Sequence, residues 1–232
     1  LAAITPRTRL ICVANPNNPT GAIATREQLL ALVQAAPQAA VLIDEAYIHF
    51  GGETLLHELG KYDNLFLART FSKAYGLAGF RLGVLCGSLE QMKMLRRVAS
   101  PYNVNGIALE CLMQALRDDD FVSSYVAQVL EGRAQLEQFY RARQIPYWTS
   151  QANFVLAYFG EFNRTFVQEM RRRGILVRDR NNDPGCAGCV RITLGTSEQT
   201  ARLLSELPEA LKAINFVARP LSELSKPLSE NA

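Results

Sequence analysis

The chain has 232 residues, 48% of them hydrophobic and 20% charged, with 25 basic against 22 acidic side chains for a formal charge of +3. Such a composition excludes a disordered tail, a collagen-like fibre and a small disulfide scaffold, and the charge excess is too small to indicate a nucleic-acid surface. At about 150 residues per domain the length predicts one to two domains, and no apolar run approaches the roughly 20 residues of a membrane-spanning helix.

In chain order, Arg9–Ala14 (RLICVA) reads as a short buried strand closing on the turn NPNNPTG, Asn15–Gly21. Thr25 with Gln28 forms a capping box, and Leu29, Leu30, Leu32 and Val33 continue as a helix. Further buried strands are predicted at Ala40–Asp44, Asn64–Ala68 and Phe80–Cys86, and a helix at Leu89–Val98. Continuous apolar strands between helices predict an α/β fold, a mainly parallel sheet with helices on both faces. The second half changes character. Asn105–Leu116 and Phe121–Tyr140 are helical patterns around a charged break, Arg117–Asp120. They are followed by strands at Ile145–Trp148 and Asn153–Tyr158, a helix at Phe162–Arg173, and strands at Ile175–Arg178 and Val190–Thr193. A last helix is expected from Ser197, as cap, toward Ile214, kinked or restarted at Pro208. This half predicts a smaller α+β domain, with a boundary near Arg117 and a loose tail over Phe216–Ala232.

Five scattered cysteines, Cys12, Cys86, Cys111, Cys186 and Cys189, predict reduced thiols and a cytoplasmic setting. The lone CxxC of Cys186 and Cys189 has no second pair, and His49 and His57 lie far upstream, so no metal is predicted. The start at Leu1, inside a lead-in to a strand, predicts a segment that lacks an N-terminal part.

The chemistry concentrates at strand ends, where open α/β sheets bind ligands. Asp44 closes AVLID, within the run Asp44-Glu45-Ala46-Tyr47, and a carboxylate there calls for a cation or serves as a cap. Tyr47 can turn its hydroxyl to the same place, while Glu45 is expected to face solvent or a structural partner. In TFSKAYGLAGFRLG, Thr70–Gly83, Lys73 sits in a hydroxyl-rich turn and Arg81 follows eight residues later. A lysine so placed can form a Schiff base, and Thr70, Ser72 and Arg81 together can hold a phosphate.

NPNNPTG, DEAY and TFSK with its arginine eight residues on resemble the fold-type I pyridoxal-phosphate aminotransferases, over about Arg9–Ile214. The resemblance implies that Lys73 carries pyridoxal 5'-phosphate covalently and shuttles the substrate proton, and that Asp44 pairs with the ring nitrogen. It implies that Asn18 and Tyr47 bond the phenolic oxygen, and that Ser72, Arg81 and Thr70 bind the phosphate. Residues 1–117 would then be the C-terminal part of a large cofactor domain, and 118–215 the small domain. GILVRD and VRITLGT, with DEAYIHF and PYNVN, look like the histidinol-phosphate aminotransferase branch of the family. That branch implies Arg178 and Arg191 clamping the phosphate of histidinol phosphate, or a carboxylate of glutamate or 2-oxoglutarate, in a cytoplasmic homodimer of histidine biosynthesis. Arg171–Arg173 reads as a solvated helix end. Alternatives sharing the cofactor residues are an aromatic aminotransferase, an amino-acid-phosphate decarboxylase, and the ligand domain of a transcription regulator. The family's N-terminal portion cannot be located, so this stretch alone is expected to be inactive.

Overall fold

A computed structural model of the chain describes residues 1–218. They divide into two compact units, one of Leu1–Asn18 with Ala22–Val126, the other of Pro19–Gly21 with the residues from Ala127 on.

The first unit is built on a sheet in the order β1-β2-β3-β4, formed by Leu10–Ala14, Ala40–Asp44, Leu65–Thr70 and Gly83–Cys86. The first three strands are parallel, with Ala14 opposite Asp44 and Asp44 opposite Ala68, so their carboxyl ends align along one edge. β4 is antiparallel, with Gly83 opposite Thr70. It begins later than the sequence predicts: Ala78–Phe80 forms a 3-10 turn and Arg81 takes a left-handed backbone, which together reverse the chain. Helix α1, Arg26–Ala35, starts at the predicted Thr25–Gln28 capping box. Its Leu29 and Val33 pack with Val41, Ile43, Leu65 and Leu67, the alternate residues of two strands, in one apolar cluster. Helices α2, Leu89–Arg96, and α3, Gly106–Ala115, follow.

Helix α4, Asp119–Ala142, starts inside the predicted charged break, because Asp118 accepts the N–H of Phe121 at 3.1 Å and acidic side chains favour a helix N-terminus. The division between the units falls within this helix.

The second unit has an antiparallel sheet in the order β5-β6-β8-β7, formed by Tyr147–Trp148, Phe154–Tyr158, Cys189–Thr193 and Arg178–Asp179. The strand predicted at Ile175–Arg178 reduces to β7, whose first residue, Arg178, stands opposite Arg191 of β8. Helices α5, Asn163–Arg172, and α6, Ser197–Ala213, complete the unit. The cap of α6 is Thr196, not Ser197. Thr196 has the extended backbone of a cap and accepts the N–H of Gln199, whose side chain reaches back to the N–H of Thr196. Nor does α6 restart at Pro208; buried Leu203, Leu207, Ala210 and Leu211 carry it through to Ala213. Phe216, placed in the predicted tail, packs its ring on Phe159 and Phe162. The rest of that tail, from 219, lies outside the described residues. Among the described residues no helix is long and apolar enough to cross a membrane.

Candidate active site

The candidate cofactor residues all fall in the first unit, and the aligned strand ends explain why. Asn18 lies exposed in the turn after β1, Asp44 ends β2, Tyr47 follows it, and Thr70 ends β3 with Ser72 and Lys73 just beyond. The turn after β1 is pinned by Asn15, whose buried side chain donates to the carbonyl of Ala24 and accepts its N–H at 2.7 Å.

Asp44 is exposed, and its Oδ1 accepts the N–H of Ala46 at 3.0 Å, the capping role. Tyr47 is buried, and the ammonium of Lys73 lies over its ring, 5.4 Å from the centroid. Thr70 orders the turn that carries Lys73: its Oγ1 accepts the N–H of Ser72 at 3.1 Å and donates to the carbonyl of Leu82 at 3.3 Å. Through Leu82 the turn is tied to Arg81, whose guanidinium donates to the carbonyl of Ala78 at 2.9 Å. The left-handed backbone of Arg81, at φ 56°, costs a non-glycine residue about 1–2 kcal/mol. Glycine would relieve that strain, so the position is held by an arginine at the expense of local stability.

Glu45 does not face solvent; of the two expected roles it takes the structural one. Its carboxylate is 1% exposed and accepts from Nε and a terminal nitrogen of Arg69, from the hydroxyl of Thr54, and from the N–H of Leu55 at 2.8 Å. Arg69 also donates to Thr54 at 2.7 Å. This cluster joins the residue after Asp44 to the residue before Thr70, and so fastens the two strand ends that carry the candidate site. His49 packs edge-on against Tyr75 beside it; burial, then the charge of Arg69, holds its imidazole below the usual value. The sequence reading missed Arg69. The signal was there: a cation inside NLFLART needs a buried anion, and parallel pairing sets it beside Glu45.

In the second unit, Arg178 and Arg191 are opposed across β7 and β8, so both side chains leave the same face of the sheet. They line one cavity of about 320 Å³. The guanidinium of Arg191 also lies over the ring of Phe154, 4.8 Å from its centroid. The run Arg171–Arg173 is not uniformly solvated: Arg173 is three-quarters buried and pairs with Glu169 and Glu206, tying α5 to α6. Cys186 is buried in the turn into β8 and Cys189 as the first residue of that strand; burial raises both thiols, that of Cys189 to about 12.

The model of the aminotransferase class I and II family matches residues 1–207. The chain belongs to this family. Among aminotransferase relatives, it is 36% identical over 213 residues to a histidinol-phosphate aminotransferase of Flavobacterium johnsoniae, covering 89% of this chain and 60% of that protein. A histidinol-phosphate aminotransferase of Paracoccus denitrificans is 38% identical over 210 residues, covering 88% of this chain and 56% of that protein. The structure of a histidinol-phosphate aminotransferase from Sinorhizobium meliloti, in complex with pyridoxal-5'-phosphate, is similar at a TM-score of 0.80 and 26% identity, over 88% of this chain and 58% of that one. The chain, a member of the aminotransferase class I and II family, thus spans 56–60% of the length of these relatives.

The glycine of NPNNPTG has a steric reason to be there. Gly21 has φ +73°, and a Cβ on it would lie 2.0 Å from Oγ and 2.8 Å from Cα of Ser150. Gly21→Ala is therefore expected to lower stability by about 2 kcal/mol or more, measured as a fall in the urea midpoint at unchanged slope.

Proposed function

We propose that the protein carrying this segment is a pyridoxal-phosphate-dependent transaminase that moves an amino group between histidinol phosphate and 2-oxoglutarate. The observation that carries the reading is the opposed pair Arg178 and Arg191 on one cavity, in an aminotransferase-family chain whose first unit groups Asp44, Tyr47, Thr70, Ser72, Lys73 and Arg81 around aligned strand ends. The names of the relatives support it, as does the cofactor named for the Sinorhizobium meliloti neighbour.

The donor chemistry of the first unit fits such a cofactor. Thr70, Ser72 and Arg81 offer hydroxyls and a guanidinium to its phosphate. Asp44, with one oxygen on the Ala46 N–H, keeps a second for a protonated ring nitrogen. Asn18 and Tyr47 are the partners for its phenolic oxygen. When bound, the cofactor supplies an electron-withdrawing ring that stabilises negative charge at the substrate carbon. Lys73 would hold it covalently, and its Nζ, when not so engaged, would be the base that takes the proton from the amine-bearing carbon. Arg178 and Arg191 grip the anionic end of either substrate, in a cytoplasmic homodimer.

A coupled assay of the intact protein with histidinol phosphate and with phenylalanine tests the reading; faster turnover of phenylalanine would replace it with the aromatic aminotransferase. Arg191→Ala should impair both half-reactions about ten- to a hundredfold, the worth of a charge-assisted contact of about 1.5–3 kcal/mol. Arg178→Ala should impair the phosphorylated substrate more than glutamate. Equal, small losses for both would remove the phosphate clamp.

A further inference from the structure

The arginines around the end of α5 and the sheet edge fall into two groups. Arg172 and Arg173 pair with Glu169, and Arg173 with Glu206 as well, while Arg180 pairs with Asp183 at 2.7 Å. Arg171 and Arg178 make no ion pair among the described residues, and with Arg191 they line a single cavity. Among the described residues no Asp or Glu lines that cavity; the rest of its wall is Val167, Leu176, Val177 and Thr193.

Three elements contribute the arginines that line this cavity. Arg178 and Arg191 are an opposed pair on adjacent strands. Arg171 is one helical turn after Val167 on α5, so both present to the same side of the helix. Three positively charged side chains lining one cavity favour an anion there, and the anion that best matches them carries more than one charge. A carboxylate has one charge and two oxygens, enough for a single bidentate fork. A phosphate monoester has about −1.5 to −2 charge near pH 7 and three acceptor oxygens.

We infer that Arg171 is a specificity-determining residue of this cavity: its guanidinium is the third cation that makes the site favour the dianionic phosphate end of a substrate over a carboxylate. The inference rests on the reading of Arg178 and Arg191 as the anion clamp, and goes beyond it in adding a residue from α5 and in assigning that residue the discrimination between two anions.

Arg171 is exposed at the end of a helix, so its replacement tests binding rather than folding. In the intact, cofactor-loaded protein, Arg171→Gln should raise the ratio of the KM for histidinol phosphate to the KM for glutamate about tenfold, one charge-assisted contact. Arg171→Lys, which keeps the charge but loses the fork, should recover part of that ratio. Inorganic phosphate should raise the melting midpoint of the unsubstituted protein, and do so less for Arg171→Gln. An unchanged ratio in Arg171→Gln, with Arg178→Ala still impairing histidinol phosphate, would overturn the role of Arg171 and leave the clamp standing. An unchanged ratio in both variants would overturn the role and the clamp together. An equal rise in both KM values would overturn the discrimination, leaving Arg171 a general source of positive charge.

Discussion

Lys73→Ala is expected to abolish the covalent, borohydride-reducible attachment of pyridoxal phosphate to this protein. Each of the other described lysines sits elsewhere: Lys61 pairs with Glu58 and Lys93 with Glu90, while Lys212 lies exposed in α6. Lys73 alone among them follows a strand end, half-buried over the Tyr47 ring. Its loss also removes the proposed base, so transamination should fall at least about 10²–10⁴-fold, the worth of a positioned proton acceptor. Mass mapping of the reduced protein checks the assignment, and an adduct on another lysine would refute it. Added small amines should restore part of the rate by replacing the missing base, which a misfolded variant would not show.

Arg69→Met should have the largest effect on stability. It leaves the Glu45 carboxylate, 1% exposed, with hydrogen bonds from Thr54 and Leu55 but no countercharge. Removing one partner of a buried pair costs about 3–5 kcal/mol. The double variant Arg69→Met/Glu45→Met removes both charges and should regain much of that loss, because the unpaired charge rather than the missing attraction dominates the cost. Urea unfolding of the two single variants and the double measures the coupling. Additive losses would mean that the two side chains act independently, against the geometry of their contact.

Much of the fold was legible because local chemistry and pattern agreed. The Thr25–Gln28 box stands where its spacing put it, and AVLID is a strand ending at Asp44. The failures came where a backbone choice or a tertiary contact decided. Thr196 and Ser197 are both competent caps, and only the capping-box offset to Gln199 separates them. The start of β4 depends on the left-handed turn at Arg81, which a non-glycine residue does not advertise. The positions of the candidate cofactor residues could be anticipated because Asp44 and Thr70 end strands, Asn18, Tyr47, Ser72 and Lys73 follow strand ends, and Arg81 sits in the turn before β4. Glu45 and Arg69 were harder, since their meaning comes from each other, a buried anion beside a strand arginine; Arg171 shares a cavity with two strand arginines that the sequence spacing does not connect to it.

In the first unit the strands stand side by side in the order they occur along the chain, β1-β2-β3-β4. Every new strand therefore finds the edge it needs already made by the one before it. Among these four strands, none has to be threaded between two earlier ones. During synthesis, when earlier residues emerge before later ones, these four strands can be added in turn at one margin, and both halves of the Glu45–Arg69 clasp are present once β3 has emerged. The lysine that follows β3 then arrives where three of the four strands have already emerged.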